Sequence, residues 1–208
     1  MSKDKDIQDL FKEKNREILI TNLKFDLDKN ISSLLETTTN IFNLEFETAI
    51  KKIVAIMNDA GISNSDKFVA DTINAMKDSN YKDIEMLFNA KKDVLVDSID
   101  NLEFTDIGMN KYYEVVFTST KFLKDKLEMV FKEIRNIDCK VIQDFISKNI
   151  KNDKEELTVL RIDEYMDNRL YGKLNTKIHM EIMLRDNNLI NKAKEVYGRY
   201  QDICSKTE

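Results

Sequence analysis

Apolar side chains recur through the first third of the chain at steps of three or four. Ile20, Leu23, Leu27, Ile31, Leu35, Thr38, Phe42, Phe46, Ala49, Ile53, Ile56 and Ala60 form this series. Such steps stay on one face of an α-helix, which turns once in ~3.6 residues. Leu34, Ile41, Ile50, Val54 and Met57 widen the face, so this helix should be covered on more than one side. The pattern predicts a long helix over about 18–60. Its weak point is Thr37-Thr38-Thr39-Asn40, where three β-branched residues lower helix propensity and favour a bend or a break. Gly61 is suited to the left-handed residue that ends a helix.

Ser63-Asn64-Ser65-Asp66 then offers N-caps for a short helix through Phe68, Val69, Thr72, Ile73 and Met76. That helix should stop near Asp78-Ser79-Asn80, with Asn80 capping the next. The next carries Ile84, Leu87, Phe88, Lys91, Val94, Leu95, Ile99 and Leu102 on one face. Glu103 to Asn110, with Gly108 inside it, is the clearest internal break. A second long helix is expected over about 111–149. Within it Leu123, Leu127, Val130, Ile134, Ile137, Val141 and Phe145 step by four and three, as in a coiled-coil seam. Phe131, Cys139, Ile142, Ile146 and Ile150 flank that seam. Asn152-Asp153 restarts a helix whose first turn holds Glu155 and Glu156, the right charge for a helix N-terminus. It should run through Leu157, Leu160, Tyr165 and Leu170 to Gly172. A last helix presents Leu174, Ile178, Ile182, Leu189, Ala193, Val196, Tyr200 and Ile203.

Composition sharpens this picture. The chain of 208 residues holds no proline, no tryptophan and only four glycines, at Gly61, Gly108, Gly172 and Gly198. Hairpins and tight strand corners lean on glycine and proline, which excludes an all-β sandwich or barrel. The glycines are too far apart for a phosphate-cradling loop, which argues against a nucleotide-binding α/β fold. With 42% hydrophobic and 34% charged residues, the chain can bury a core under a densely charged surface. The expected fold is all-α, an elongated bundle of five to seven helices. Two of them, at about 18–60 and 111–149, form coiled-coil-like seams. No linker-like stretch divides the chain, so 1–208 reads as one helical domain with a possible subdivision near 104–110.

Few residues carry candidate chemistry. His179 is the only histidine, which rules out a histidine triad within one chain. Asn175, Thr176, Ile182 and Met183 are its neighbours one turn away, with no carboxylate to orient it. Asp26-x-Asp28-x-Asn30 opens like a calcium loop, yet Ile31 stands where glycine is needed and Thr37 where glutamate is. Asp163 and Asp167 sit one turn apart, a spacing that 38 carboxylates produce by chance. Cys139 and Cys204 show neither metal nor redox spacing and fit a reducing compartment. No catalytic, cofactor-binding or metal-ligating residue is therefore assigned.

Net charge is −5, distributed as −7 over residues 1–110, +3 over 111–154 and −1 over 155–208. Lys121, Lys124, Lys126, Lys132, Arg135 and Lys140 make the middle segment a nucleic-acid candidate. Asp125, Glu128, Glu133 and Asp138 interleave with them and cancel much of the field, and the chain has only six arginines. Tyr112, Tyr113, Phe117, Phe122 and Phe131 give the same stretch the aromatics of a membrane-surface helix, but they also suit a core. Lysine, asparagine and isoleucine are abundant as in proteins from AT-rich genomes. The N-terminus has no signal-peptide pattern and no run approaches 18 apolar residues, so a cytoplasmic location is expected. The reading that results is a non-enzymatic helical interaction or assembly module, self-associating or bound to another protein. Leu123, Leu127, Val130, Ile134 and Ile137 form its expected packing or assembly seam. A nucleic-acid regulator using 111–154, a curved helical membrane-surface protein and a carboxylate or metal-dependent helical enzyme are the alternatives.

Overall fold

A computed structural model describes residues 2–150 and 154–206, with side chains described from residue 6 onward. It is an all-α helical bundle with no strand among the described residues. Helix α1 spans Ser2–Asp59, α2 Asp66–Asp100 and α3 Asp106–Asn149. The fourth helix runs without interruption through α4 (Lys154–Glu164), a π-helical stretch (Tyr165–Tyr171) and α5 (Gly172–Ser205).

Among the described residues four helices stand where five to seven were expected, and each merger has an identifiable cause. Asn80 does not cap a new helix. It is buried inside α2, where its side-chain amide donates to the Tyr171 hydroxyl at 3.3 Å. A tertiary partner here outweighs the turn preference of Asp78-Ser79-Asn80. Gly172 is right-handed helical (φ −61°, ψ −41°), and its N–H bonds to the Asp167 carbonyl, so the helix continues through it. The threonine run leaves α1 unbroken as well: Thr39 returns its hydroxyl to the Leu35 carbonyl at 3.0 Å, and Thr38 is fully buried. Helix α1 also begins well before residue 18, because residues 6–17 are mostly helix-favouring Lys, Glu, Gln, Leu and Arg.

Gly61 does end α1, at φ +89°. The Ile62 N–H bonds to the Met57 carbonyl at 3.0 Å and the Gly61 N–H to that of Asn58 at 2.9 Å. This is a Schellman closure, sealed by the buried pair Ile62 and Met57. The break near Gly108 falls earlier than expected, between Asp100 and Asp106. Thr105 caps α3, its hydroxyl accepting the Gly108 N–H at 3.0 Å. The expected restart at Asn152-Asp153 lies outside the described residues.

The bundle comprises two compact units, each drawing a segment from all four helices. The first holds Met1–Leu34, Phe88–Leu123 and Ile182–Glu208; the second holds Leu35–Leu87 and Lys124–Glu181. Leu23, Leu27, Leu95, Ile99, Val116 and Ala193 are among the core residues of the first unit. In the second, Phe42 stacks on Phe46 at 5.4 Å between ring centres and meets Tyr81 edge-on at 6.1 Å. Phe131 lies 6.5 Å from the same ring.

Many buried positions recur at eleven residues, beside others that recur at seven. In α1 the sets Leu23, Leu34, Glu45, Ile56 and Leu27, Thr38, Ala49 and Ile31, Phe42, Ile53 are all buried. In α2, Val69, Asn80 and Lys91 recur the same way, as do Val116, Leu127 and Asp138 in α3. At ~100° per residue, eleven residues overshoot three turns by ~20° and seven fall ~20° short of two, so the two spacings drift in opposite directions around a straight helix. The later part of the α3 seam parts from the core. Leu123 and Leu127 are buried and Val130 and Ile134 half-buried, but Ile137 is 64% and Val141 42% exposed. The expected flank of Phe131, Cys139, Ile142, Ile146 and Ile150 faces inward instead.

Candidate functional site

The residues singled out for chemistry are already engaged. Asp26, Asp28 and Asn30 lie within helix α1, where Asn30 donates to the Asp26 carbonyl and Lys92 pairs with Asp28 at 2.7 Å. Asp163 accepts the Gln143 amide at 2.9 and 3.1 Å, and Asp167 pairs with Arg135 at 3.0 Å, which also removes a basic side chain from the proposed nucleic-acid stretch. Burial pushes the Cys139 thiol up to about 12, so it stays protonated and a poor nucleophile near neutrality. His179 is half-buried, and that burial together with nearby Lys124 lowers its pKa. No group of three or more His, Cys, Asp or Glu among the described residues could hold a metal ion. No described helix is long and apolar enough to cross a membrane.

Each unit instead contains a buried polar cluster that ties helices together. In the second, the Tyr171 hydroxyl donates to Asp138 and accepts from Asn80, joining α3, the π-helical stretch and α2. Glu45 of α1 is buried beside Lys177, with Lys173 at 3.9 Å. The wider π turn brings both Leu170 and Tyr171 inward, which gives the tyrosine its reach to Asp138. Burial lifts the Asp138 carboxyl to about 6, although hydrogen bonds from Tyr171 and Asn80 pull the other way. The folded chain thus holds this proton more tightly than the unfolded one, where an aspartate titrates near ~3.9. Its stabilising contribution is complete below about pH 4 and is lost as pH rises through about 6. Asp138→Asn should remove that slope and equal or exceed the native chain in stability at pH 7. Melting curves between about pH 4 and 8 check it, and an unchanged slope in the variant would refute the assignment.

In the first unit, the Lys91 ammonium donates to both oxygens of Asp186, at 2.6 and 2.8 Å, and to the Thr120 hydroxyl at 2.7 Å. Tyr112 packs in the same neighbourhood, its hydroxyl driven upward in pKa by burial and by Asp186. Lys91 stands in the apolar series of α2, so its burial is legible in the sequence. Asp186, 95 residues away, fills the gap between Ile182 and Leu189 in the apolar series of the last helix, but nothing in the sequence pairs the two.

Also in the first unit, the outward face of α1 is apolar. Ile7, Leu10, Phe11, Ile18 and Phe25 are 50–71% exposed. With Lys14 and Thr21, the series Ile7, Phe11, Lys14, Ile18, Thr21, Phe25 steps 4, 3, 4, 3, 4, and every member is exposed. Leu19, Leu23 and Leu27 lie buried on the other side of the helix. A coiled-coil spacing is thus present, but on α1 and turned outward. Sequence reasoning that starts the helix at 18 misses it; the alternation from Ile7 to Phe25 is the signal that finds it.

No known protein family matches the chain, and no curated protein matches it. Among solved structures it is similar to a computationally designed three-helix bundle, 17% identical over 100% of this chain and 91% of that one. The TM-score of 0.27 is too low for the likeness to bear on fold or function.

Proposed function

We propose that this chain is a non-enzymatic helical interaction or assembly module that works by docking an apolar helix face. One observation carries the reading: the first half of α1 is amphipathic on two opposite sides, one side filling the core and the other facing outward with five large apolar residues. An exposed apolar row of this length is characteristic of interaction surfaces. The polar clusters suit the same role, because paired buried charges specify how helices pack and leave the outer faces free to dock. The exposed Ile137 and Val141 keep the outer part of the α3 seam, with Leu123, Leu127, Val130 and Ile134 behind it, as a second candidate face.

The test compares the native chain with an Ile7→Glu, Phe11→Glu, Ile18→Glu variant of equal helicity, both purified and as bait in extract. A stoichiometric association, with itself or with another protein, is expected for the native chain and should be lost in the variant. If neither chain associates with anything, or if the variant associates equally well, the docking-face reading is wrong.

A further inference from the structure

We propose that the outward seam of α1 pairs with the same seam of a second copy, the two helices running antiparallel about a dyad between Lys14 and Ile18. The proposal deepens the module reading above and rests on it. Alternating steps of four and three are the spacing at which two helices interlock side chains along a shared seam. Six consecutive seam positions follow it, from Ile7 to Phe25.

The order of residues selects the second copy and its direction. About this dyad, residue 7 lies opposite 25, 11 opposite 21 and 14 opposite 18. Ile7 then packs on Phe25 of the partner copy, Phe11 on Thr21 and Lys14 on Ile18, and the symmetry repeats each layer. Because each layer joins two seam positions of the same row, the face complements itself, as an isologous dimer requires. A parallel pairing in register would set the two Lys14 ammonium groups against each other inside the seam. The antiparallel pairing moves them about a turn apart, lays each lysine stem over an isoleucine and brings each ammonium beside Glu17 of the partner copy. Both Lys14 and Glu17 are exposed and available for that contact.

Area supports the same occupant. Ile7, Leu10, Phe11, Ile18 and Phe25 expose half to seven-tenths of their surface. Covering them removes on the order of 600 Å² per copy, or about 1,200 Å² in all, which reaches the lower edge of specific interfaces. The dimer should therefore depend on concentration yet survive added salt, since its core is apolar.

Light scattering on the full chain across roughly 1 µM to 1 mM should show mass rising from 24.4 kDa to twice that value. Ile18→Glu and Phe25→Glu should each weaken dimerisation tenfold or more. Both sites are exposed, so helicity should be unchanged. Direction is read by diamide oxidation in a Cys204→Ser background, which leaves only the buried Cys139 as a native thiol. A mixture of Lys14→Cys and Ile18→Cys chains should form the mixed disulfide, with little of either homodimer. Predominant Lys14→Cys homodimers would mean a parallel pair and overturn the proposal. A dimer indifferent to both glutamates would also overturn it, while leaving an assembly module that uses another face. A monomer at every concentration defeats self-pairing, and the bait comparison above then decides separately whether the module reading survives.

Discussion

Lys91→Ala should lower the stability of the bundle by about 3–5 kcal/mol, the usual cost of removing one member of a buried ion pair. The Lys91 and Asp186 side chains are 3% and 9% exposed. Removing the ammonium leaves the Asp186 carboxylate with the Thr120 hydroxyl as its remaining donor, in a core that cannot hydrate it. The pair itself gains much less than this, because desolvating both charges consumes most of their attraction; burial already pulls the Lys91 pKa down despite Asp186. The double replacement Lys91→Met, Asp186→Leu should therefore recover most of what Lys91→Ala loses. Urea unfolding followed by helix circular dichroism measures both. A Lys91→Ala chain within about 1 kcal/mol of the native one would show that the pair is not a buried anchor.

The second large effect separates two isoleucines five residues apart on α3. Ile142 is 1% exposed and Ile137 is 64% exposed. Ile142→Asp puts an unpaired carboxylate into the core of the second unit and should cost about 4 kcal/mol or more, enough to unfold much of the chain. Ile137→Asp should stay within about 0.5 kcal/mol of the native chain. The heptad pattern alone predicts the opposite order, since it places Ile137 in the seam and Ile142 beside it. Loss of helicity in Ile137→Asp together with a folded Ile142→Asp would restore the heptad frame.

That contrast marks where sequence patterning runs out. Steps of three and four identify a helix, but adjacent runs such as Ile134–Ile137–Val141 and Cys139–Ile142–Ile146–Ile150 satisfy them about equally well. The tie is broken by which side of the helix its neighbours cover, and in the second half of α3 that is the side of Cys139, Ile142, Ile146 and Ile150. The outer seam of α1 is masked in the sequence for a related reason: the stronger stripe beginning at Ile20 dominates the pattern, and a second apolar face stands out only once the first is known to be inside. The polar clusters are legible by halves. Lys91, Thr38, Asn80 and Asp186 interrupt apolar stripes at core positions, while the partner each one meets is not written in the spacing.

The all-α class, the length of α3 and the glycine stop at Gly61 are legible in the sequence alone. Each follows from local chemistry: the absence of proline, the scarcity of glycine, and helical spacing that short-range backbone bonding can realise. The folded arrangement settled that Asn80 would sit inside a helix, which face of α3 is buried, and how Lys91 meets Asp186 and Asp138 meets Tyr171. Those outcomes depend on contacts between residues far apart in the chain. A buried partner can outweigh a local preference worth about 1 kcal/mol, and only the folded arrangement says where such partners lie.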